Sequence, residues 1–193
     1  MTPRKVDKTE RRQQILAAAV RMFARKGFAA TRIDDVAAEA GIAKGSVYLY
    51  FDSRDALLKA AFEAHAARVA ALLTAAGSDG DPLDPLDRLE RLIGATLTML
   101  VADADLARVQ LDVWNTPSDM AGLDMAGLYR DYRTTVARLL REAAIRPGLD
   151  PDHVAAVIVG AVEGCLVQCL ADPELDLGEL AGPIVQICVR SLR

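Results

Sequence analysis

The chain has 193 residues, 52% of them apolar and 26% charged, which supports a packed core in one or two domains and excludes a disordered polyelectrolyte. The net charge of −4 hides a split: residues 1–59 hold 12 of the 23 Lys and Arg but only 7 of the 27 Asp and Glu, and every lysine lies at or before Lys59. A basic head on an acidic remainder points to a polyanion met by the head alone, while the lack of an uninterrupted apolar run near ~18 residues and of a secretory signal leads to the expectation of a cytoplasmic protein with no membrane partner.

Strand signals are nearly absent, and Ala and Leu dominate. Ile15, Leu16, Ala19, Val20, Met22 and Phe23 follow the helical period, and Gly27 behind Lys26 reads as a C′ glycine, giving a first helix from about Lys8 to Lys26. Thr31 reads as the N-cap of a short helix to Ala40 with Asp34 and Asp35 in its first turn, ended by Gly41. A second short helix opens at Ala43-Lys44-Gly45-Ser46 and reaches Tyr50. Asp52, with Asp55 three residues on, reads as the cap of a long helix through Leu57, Phe62, His65, Val69 and Leu73. After a loop from Gly77 to Pro82, Asp84-Pro85 and Asp150-Pro151 each read as an N-cap followed by proline at the first helical position. Between them, helices are expected to about Val101, from Asp103 to Asn115, and from near Asp119 to Ile145; the one from Asp150 is expected to end near Leu170. Asp176 is a possible cap for the last helix, but Gly182-Pro183 predicts either a kink or a start at Pro183. The count is nine helices and no sheet.

Three cysteines, Cys165, Cys169 and Cys188, argue against a disulfide framework. No histidine or third cysteine completes a metal site near Cys165 and Cys169, so buried apolar thiols are expected, with no metal and no cofactor.

The informative stretch is Ile33 to Phe51, IDDVAAEAGIAKGSVYLYF. A helix-turn-helix needs a small residue where its helices cross, a Gly where the turn requires positive φ, and a branched apolar residue locking the second helix onto the first. Ala37, Gly41 and Val47 have these types, with Val36, Ala40 and Ile42 at the remaining inward positions. Outward, Thr31 and Arg32 begin the first helix, where free N–H groups welcome a phosphate. Lys44, Gly45 and Ser46 begin the helix expected to enter the major groove, and Tyr48 offers a ring to a thymine methyl and a hydroxyl to a phosphate. Tyr50 and Arg54 lie where a flanking phosphate would pass, although Tyr50 suits partial burial equally well. Arg4, Lys5, Lys8, Arg11 and Arg12 form either a DNA-reaching arm or a solvated tail.

The stretch Gly27 to Leu58, GFAATRIDDVAAEAGIAKGSVYLYFDSRDALL, resembles the DNA-binding head of the TetR family of regulators. It shares the GF-x-x-T opening, the A-G-[IV]-x-x-G-x-[VL]-Y turn and the aromatic exit into a long helix. The resemblance implies an all-α, nine-helix, two-domain architecture: a three-helix helix-turn-helix head in residues 1–51, and a helical effector-binding and dimerisation body in residues 52–193. It implies that positions matching Thr31, Lys44, Gly45, Ser46, Tyr48, Tyr50 and Arg54 touch DNA, that the body holds an effector cavity, and that the last two helices pair with a second subunit.

For the cavity, which should be mainly apolar with a few polar groups, the candidates are His65, Met99, Trp114, Met120, Met125, Tyr129, Tyr132 and Gln168. Each also suits ordinary core. Glu163, inside the most apolar helix, suits a cationic ligand, an Arg partner or the dimer edge. Gly160 and Gly164 would allow close helix approach and, with Val167, Ile184 and Ile187, are the candidate dimer contacts. The expected function is that of a repressor: a homodimer on palindromic double-stranded DNA, released when a small, largely apolar effector binds. A regulator whose body binds a protein partner or no ligand, and more remotely a helical enzyme or carrier, are the alternatives; no P-loop, G-x-S-x-G or H-E-x-x-H motif supports the last.

Overall fold

Helix-favouring composition and the cap and breaker signals divide the chain much as the periodicity suggests. A computed structural model describes residues 7–78, 80–114 (Trp114 in its backbone only) and 124–193. Among these it contains α1 (Lys8–Lys26), α2 (Ile33–Glu39), α3 (Lys44–Tyr48), α4 (Arg54–Ala76), α5 (Pro85–Ala102), α6 (Ala104–Trp114), α7 (Met125–Glu142), α8 (Pro151–Ala171) and α9 (Ala181–Cys188), a terminal 3-10 turn, and no strand. The fold is all-α.

The caps explain most boundaries. Asp84 accepts a hydrogen bond from the Leu86 N–H at 2.9 Å and Asp150 one from Asp152 at 2.8 Å, each ahead of a proline. Asp124, which the sequence reading placed inside a longer helix, accepts from the Gly127 N–H at 2.7 Å and starts α7; Asp119 and Gly122 lie outside the described residues. Two expected caps are corrected. Ser53, not Asp52, caps α4: its hydroxyl accepts from the Ala56 N–H at 3.0 Å. Arg32 stands at the α2 N-cap, and Thr31 is 2% exposed, its hydroxyl donating to the Gly27 carbonyl at 2.8 Å. Asp176 accepts from Gly178 in a turn rather than starting a helix. α9 begins two residues before Pro183, so the proline falls in the first turn, where its missing N–H costs nothing and no kink is needed.

Packing divides the chain into two compact units. The first runs to His65 and adds α6 from Asp105; the second is Ala66–Ala104 with Asp124–Arg193. In the first, Ile15, Ala19 and Phe23 of α1 meet Val36 and Ala37 of α2, Val47 of α3, and Leu57 and Phe62 of α4. Leu106, Val109 and Val113 of α6 join that core, and Asp112 accepts from the Phe28 N–H at 2.9 Å. In the second, Leu89, Ile93 and Leu97 of α5 pack with Val136, Leu139 and Leu140 of α7, Ala155 and Ile158 of α8, and Ile184 of α9. The end of α4 is tied down by a buried arginine. Arg88, 6% exposed, donates to the Ala76 carbonyl at 2.6 and 3.0 Å and to Ser78 at 3.2 Å, and pairs with Glu142 at 3.1 Å.

α8 departs from expectation in one respect. It spans 21 residues with a mean hydropathy of 2.1 over its best window, long and apolar enough by composition to cross a membrane. Counting uninterrupted apolar residues missed this, because Glu163 and Gln168 break the run without lowering the mean much. Only 22% of that window is buried, so much of its apolar surface faces outward.

Candidate nucleic-acid interface

The helix-turn-helix is locked from inside. Val36 and Val47 are fully buried and Ala37 nearly so, which seats α3 on α2. Gly41 has φ +66°, the left-handed conformation that a β-carbon disfavours. Its N–H donates to Ala38 at 3.1 Å and that of Ile42 to Ala37 at 3.0 Å, closing the turn. Because Val47 points inward, the other faces of α3 point out: Lys44, Gly45 and Tyr48 are exposed, and so is Leu49 just past its end. A β-carbon added at Gly45 would meet nothing within 4 Å, so the backbone itself is open to approach.

Much of the head's positive charge is already paired. Arg21 (2.7 Å) and Arg25 hold Glu39, and Lys26 holds Asp35 at 2.8 Å. These contacts tie α1 to α2 and keep both carboxyls below the usual carboxylate range. Lys44 holds Asp34 at 2.8 Å, a hydrogen bond that raises the lysine's pKa. Among the described residues, Lys8, Arg11, Arg12 and Arg32 remain without a carboxylate partner, and Arg12 lies 4.9 Å over the Phe51 ring, beside the exit from α3. An open helix start flanked by unpaired cations is the arrangement that a phosphate backbone and a groove require.

Residues 15–61 match the sequence profile of the bacterial regulatory proteins of the tetR family. YerO of Bacillus subtilis, named an HTH-type transcriptional regulator, is 50% identical over 54 residues, 28% of this chain and 19% of that protein. The nicotine-responsive transcriptional repressor HdnoR of Paenarthrobacter nicotinovorans is 26% identical over 174 residues and 88% of both chains. The fatty acid degradation regulator FadR from Bacillus halodurans has the same fold, with a TM-score of 0.78, 25% identity, and 97% of this chain and 98% of that one aligned. Residues 15–61 are thus a tetR-type DNA-binding head, and over most of its length the chain is similar to transcriptional regulators of that type. That family is a class of regulators, not of enzymes.

Within this TetR-type head, the expected DNA-facing residues separate into two groups. Arg32, Lys44, Gly45 and Tyr48 are exposed, while Ser46 and Tyr50 are half-buried. Thr31 and Arg54 turn inward. Arg54 donates to the carbonyls of Phe28 at 3.0 Å and Ala29 at 2.9 Å, and its guanidinium lies 4.1 Å over the Phe28 ring. It clamps the α1–α2 loop to the start of α4. Two surface residues were missed. Leu49 is 81% exposed; its place two residues after inward Val47 was the available signal. Asp34 was read only as a partner of the helix dipole.

The body's candidates also separate. Tyr132 and Thr96 hydrogen-bond through their hydroxyls between α7 and α5, and burial lifts the Tyr132 pKa to about 12. Glu163 of α8 accepts from the Tyr129 hydroxyl, and partial burial raises its pKa. Met99 and Met125 are half-buried. Thr96 was missed because threonine is neutral to an apolar count, although it occupies the buried face of Leu89, Leu92 and Ile93. His65 belongs to the first unit, and Met120 and the Trp114 side chain lie outside the described residues. Gln168 is exposed and donates to Gly164 of its own helix at 3.2 Å. A groove of about 500 Å³ lined by Asp84, Asp87, Ala143, Arg146 and Arg193 holds none of these candidates. Of the expected dimer contacts, Gly160, Gly164, Val167 and Ile187 are exposed. Ile184 is 5% exposed and belongs to the chain's own core, whereas Ile187, one helical turn on, is at the surface.

Proposed function

We propose that the chain is a repressor whose homodimer holds a palindromic operator and releases it when a small, largely apolar effector enters the body. Residues 1–51 carry DNA binding, and residues 52–193 carry effector binding and dimerisation. The observation that carries the reading is the outward face of α3, where Lys44, Tyr48 and Leu49 flank the open backbone of Gly45. Arg32 and Arg12 supply flanking phosphate contacts, Ser46 and Tyr50 line the edge, and Thr31 and Arg54 act from behind by holding the loop.

The outer face of α8 and α9 supports the dimer. Val157 is 67% exposed, Val167 46% and Ile187 69%, and a β-carbon at Gly160 or Gly164 would meet nothing within 4 Å. A second copy of the same helices covers this strip under two-fold symmetry and spaces two heads for a palindrome. The effector site is placed among Met99, Met125, Tyr129 and Tyr132 with Thr96 and Glu163, hydroxyls and one carboxyl against an apolar wall. The response of HdnoR to a small molecule, as its name states, supports the same reading here. The protein acts in the bacterial cytoplasm and catalyses nothing.

The test is selection of duplexes from a randomised library, followed by binding of the selected operator by wild type and by Tyr48→Ala. Tight, salt-sensitive binding to a palindrome is expected, weakened about five- to hundredfold in the variant by loss of a groove contact of about 1–3 kcal/mol. Selection of no sequence at low salt would overturn the DNA-binding reading. A body that binds no small molecule in a thermal-shift screen would favour the regulator without an effector.

A further inference from the structure

The ion pair between Lys44 and Asp34 lies on the outer surface of the helix-turn-helix. Both side chains are at the surface, Lys44 50% and Asp34 60% exposed, and their 2.8 Å contact joins the first residue of α3 to the first turn of α2. The other α2 carboxylates, Asp35 and Glu39, face α1 and tie two helices together. Asp34 instead places a negative charge on the surface where a negatively charged duplex must land, which by itself opposes binding. A lysine at a helix start is disfavoured by the helix dipole, and Lys44 and Asp34 are each other's only ion-pair partner among the described residues.

We propose that Asp34 is a selectivity-determining residue, which holds the Lys44 ammonium for a base edge in the groove and away from the phosphates; this rests on the DNA-binding reading above. An ammonium has three donors and no acceptor. One is taken by the Asp34 carboxylate, leaving the others directed outward. A free lysine on its four-carbon stem finds any phosphate within reach and strengthens binding to every sequence equally. Paired with Asp34, the ammonium is electrically neutralised, and a phosphate approaching it also meets the carboxylate. A guanine O6 or N7, being an uncharged acceptor, is offered the same hydrogen bond without that repulsion. The pair therefore weakens binding to random DNA more than binding to the operator.

The experiment compares wild type, Asp34→Asn, Lys44→Ala and the double variant on the selected operator and on a random duplex of equal length, from 50 to 300 mM salt. Circular dichroism and thermal unfolding confirm that each variant is folded. Asp34→Asn is expected to bind random DNA several-fold more tightly, with a salt slope steeper by about one unit per head, and with operator affinity raised less, so that the ratio of specific to random binding falls. In the Lys44→Ala background the same substitution should change the ratio little, because the effect is routed through the lysine. An unchanged or increased ratio in folded Asp34→Asn overturns the proposal. So does an equal effect with and without Lys44, which would mean simple loss of a repelling charge. If wild type selects no operator, the DNA-binding reading fails and takes this inference with it, an outcome distinguishable because it appears before any variant is made.

Discussion

In the first unit the acidic groups sit at the surface and hold cations: Asp35 and Glu39 brace α2 against α1, and Asp34 engages Lys44. In the second unit the charges that matter are inside. Arg88 is buried under the loop after α4, and Glu163 is partly withdrawn from water beside Tyr129. The apolar groups are distributed the other way. Among the described residues, the first unit keeps Val36 and Val47 inward and exposes Tyr48 and Leu49, whereas the second exposes Val157, Val167 and Ile187. A surface meant for a polyanion is made of paired and unpaired charge with an open backbone. The surface proposed to meet a second copy is made of unpaired apolar side chains beside glycines.

The contrast is most severely tested through the two inward arginines. Arg88→Ala should cost about 2–4 kcal/mol in urea unfolding, since it strips the Ala76 and Ser78 carbonyls of their donor and leaves Glu142 without its partner. Arg54→Ala should cost less, about 1–3 kcal/mol, because its clamp is half-exposed. Lysine should restore neither, lacking the planar fork. An Arg54→Ala protein with unchanged melting temperature but uniformly weaker DNA binding would return Arg54 to the phosphate contacts.

Val157→Arg should convert a dimer to a monomer in sedimentation analysis, with little change in the secondary structure of each chain, because the side chain is 67% exposed in the isolated subunit. A mass unaffected by this change would place the dimer contact elsewhere.

The smallest effect is one of sign. Glu39 has a lowered pKa in the folded chain, through Arg21 and Arg25. Its stabilisation is complete at neutral pH and is lost as pH falls from the ordinary carboxylate range, about 4, through its lower folded value. Glu163 has a raised pKa, through desolvation. Its neutral form suits the fold, so its contribution is present below the ordinary range and lost as pH rises through the raised value. Glu39→Gln should therefore lower the melting temperature at pH 7 and not at very low pH. Glu163→Gln should match wild type near pH 4 and exceed it slightly at pH 7. The same sign for both would break the distinction between surface and interior carboxylates.

Helix identity, the helix-turn-helix and the proline-marked starts of α5 and α8 follow from short-range chemistry, and for that reason they were legible in the sequence. Period, cap and positive-φ glycine act over a few residues, so α1 was expected and found at Lys8–Lys26 and Gly41 in the left-handed turn. What a side chain meets across space was not legible. Thr31 and Arg54 have the residue types of phosphate contacts, and packing turns both toward the α1–α2 loop. The periodicity of α6 showed an apolar face but not that it serves the head's core. Ile184 and Ile187 look alike in the sequence, yet one is core and the other surface. Local sequence decides which residues share a helix face, but burial and pairing depend on residues distant in the chain, which only the folded arrangement brings within reach.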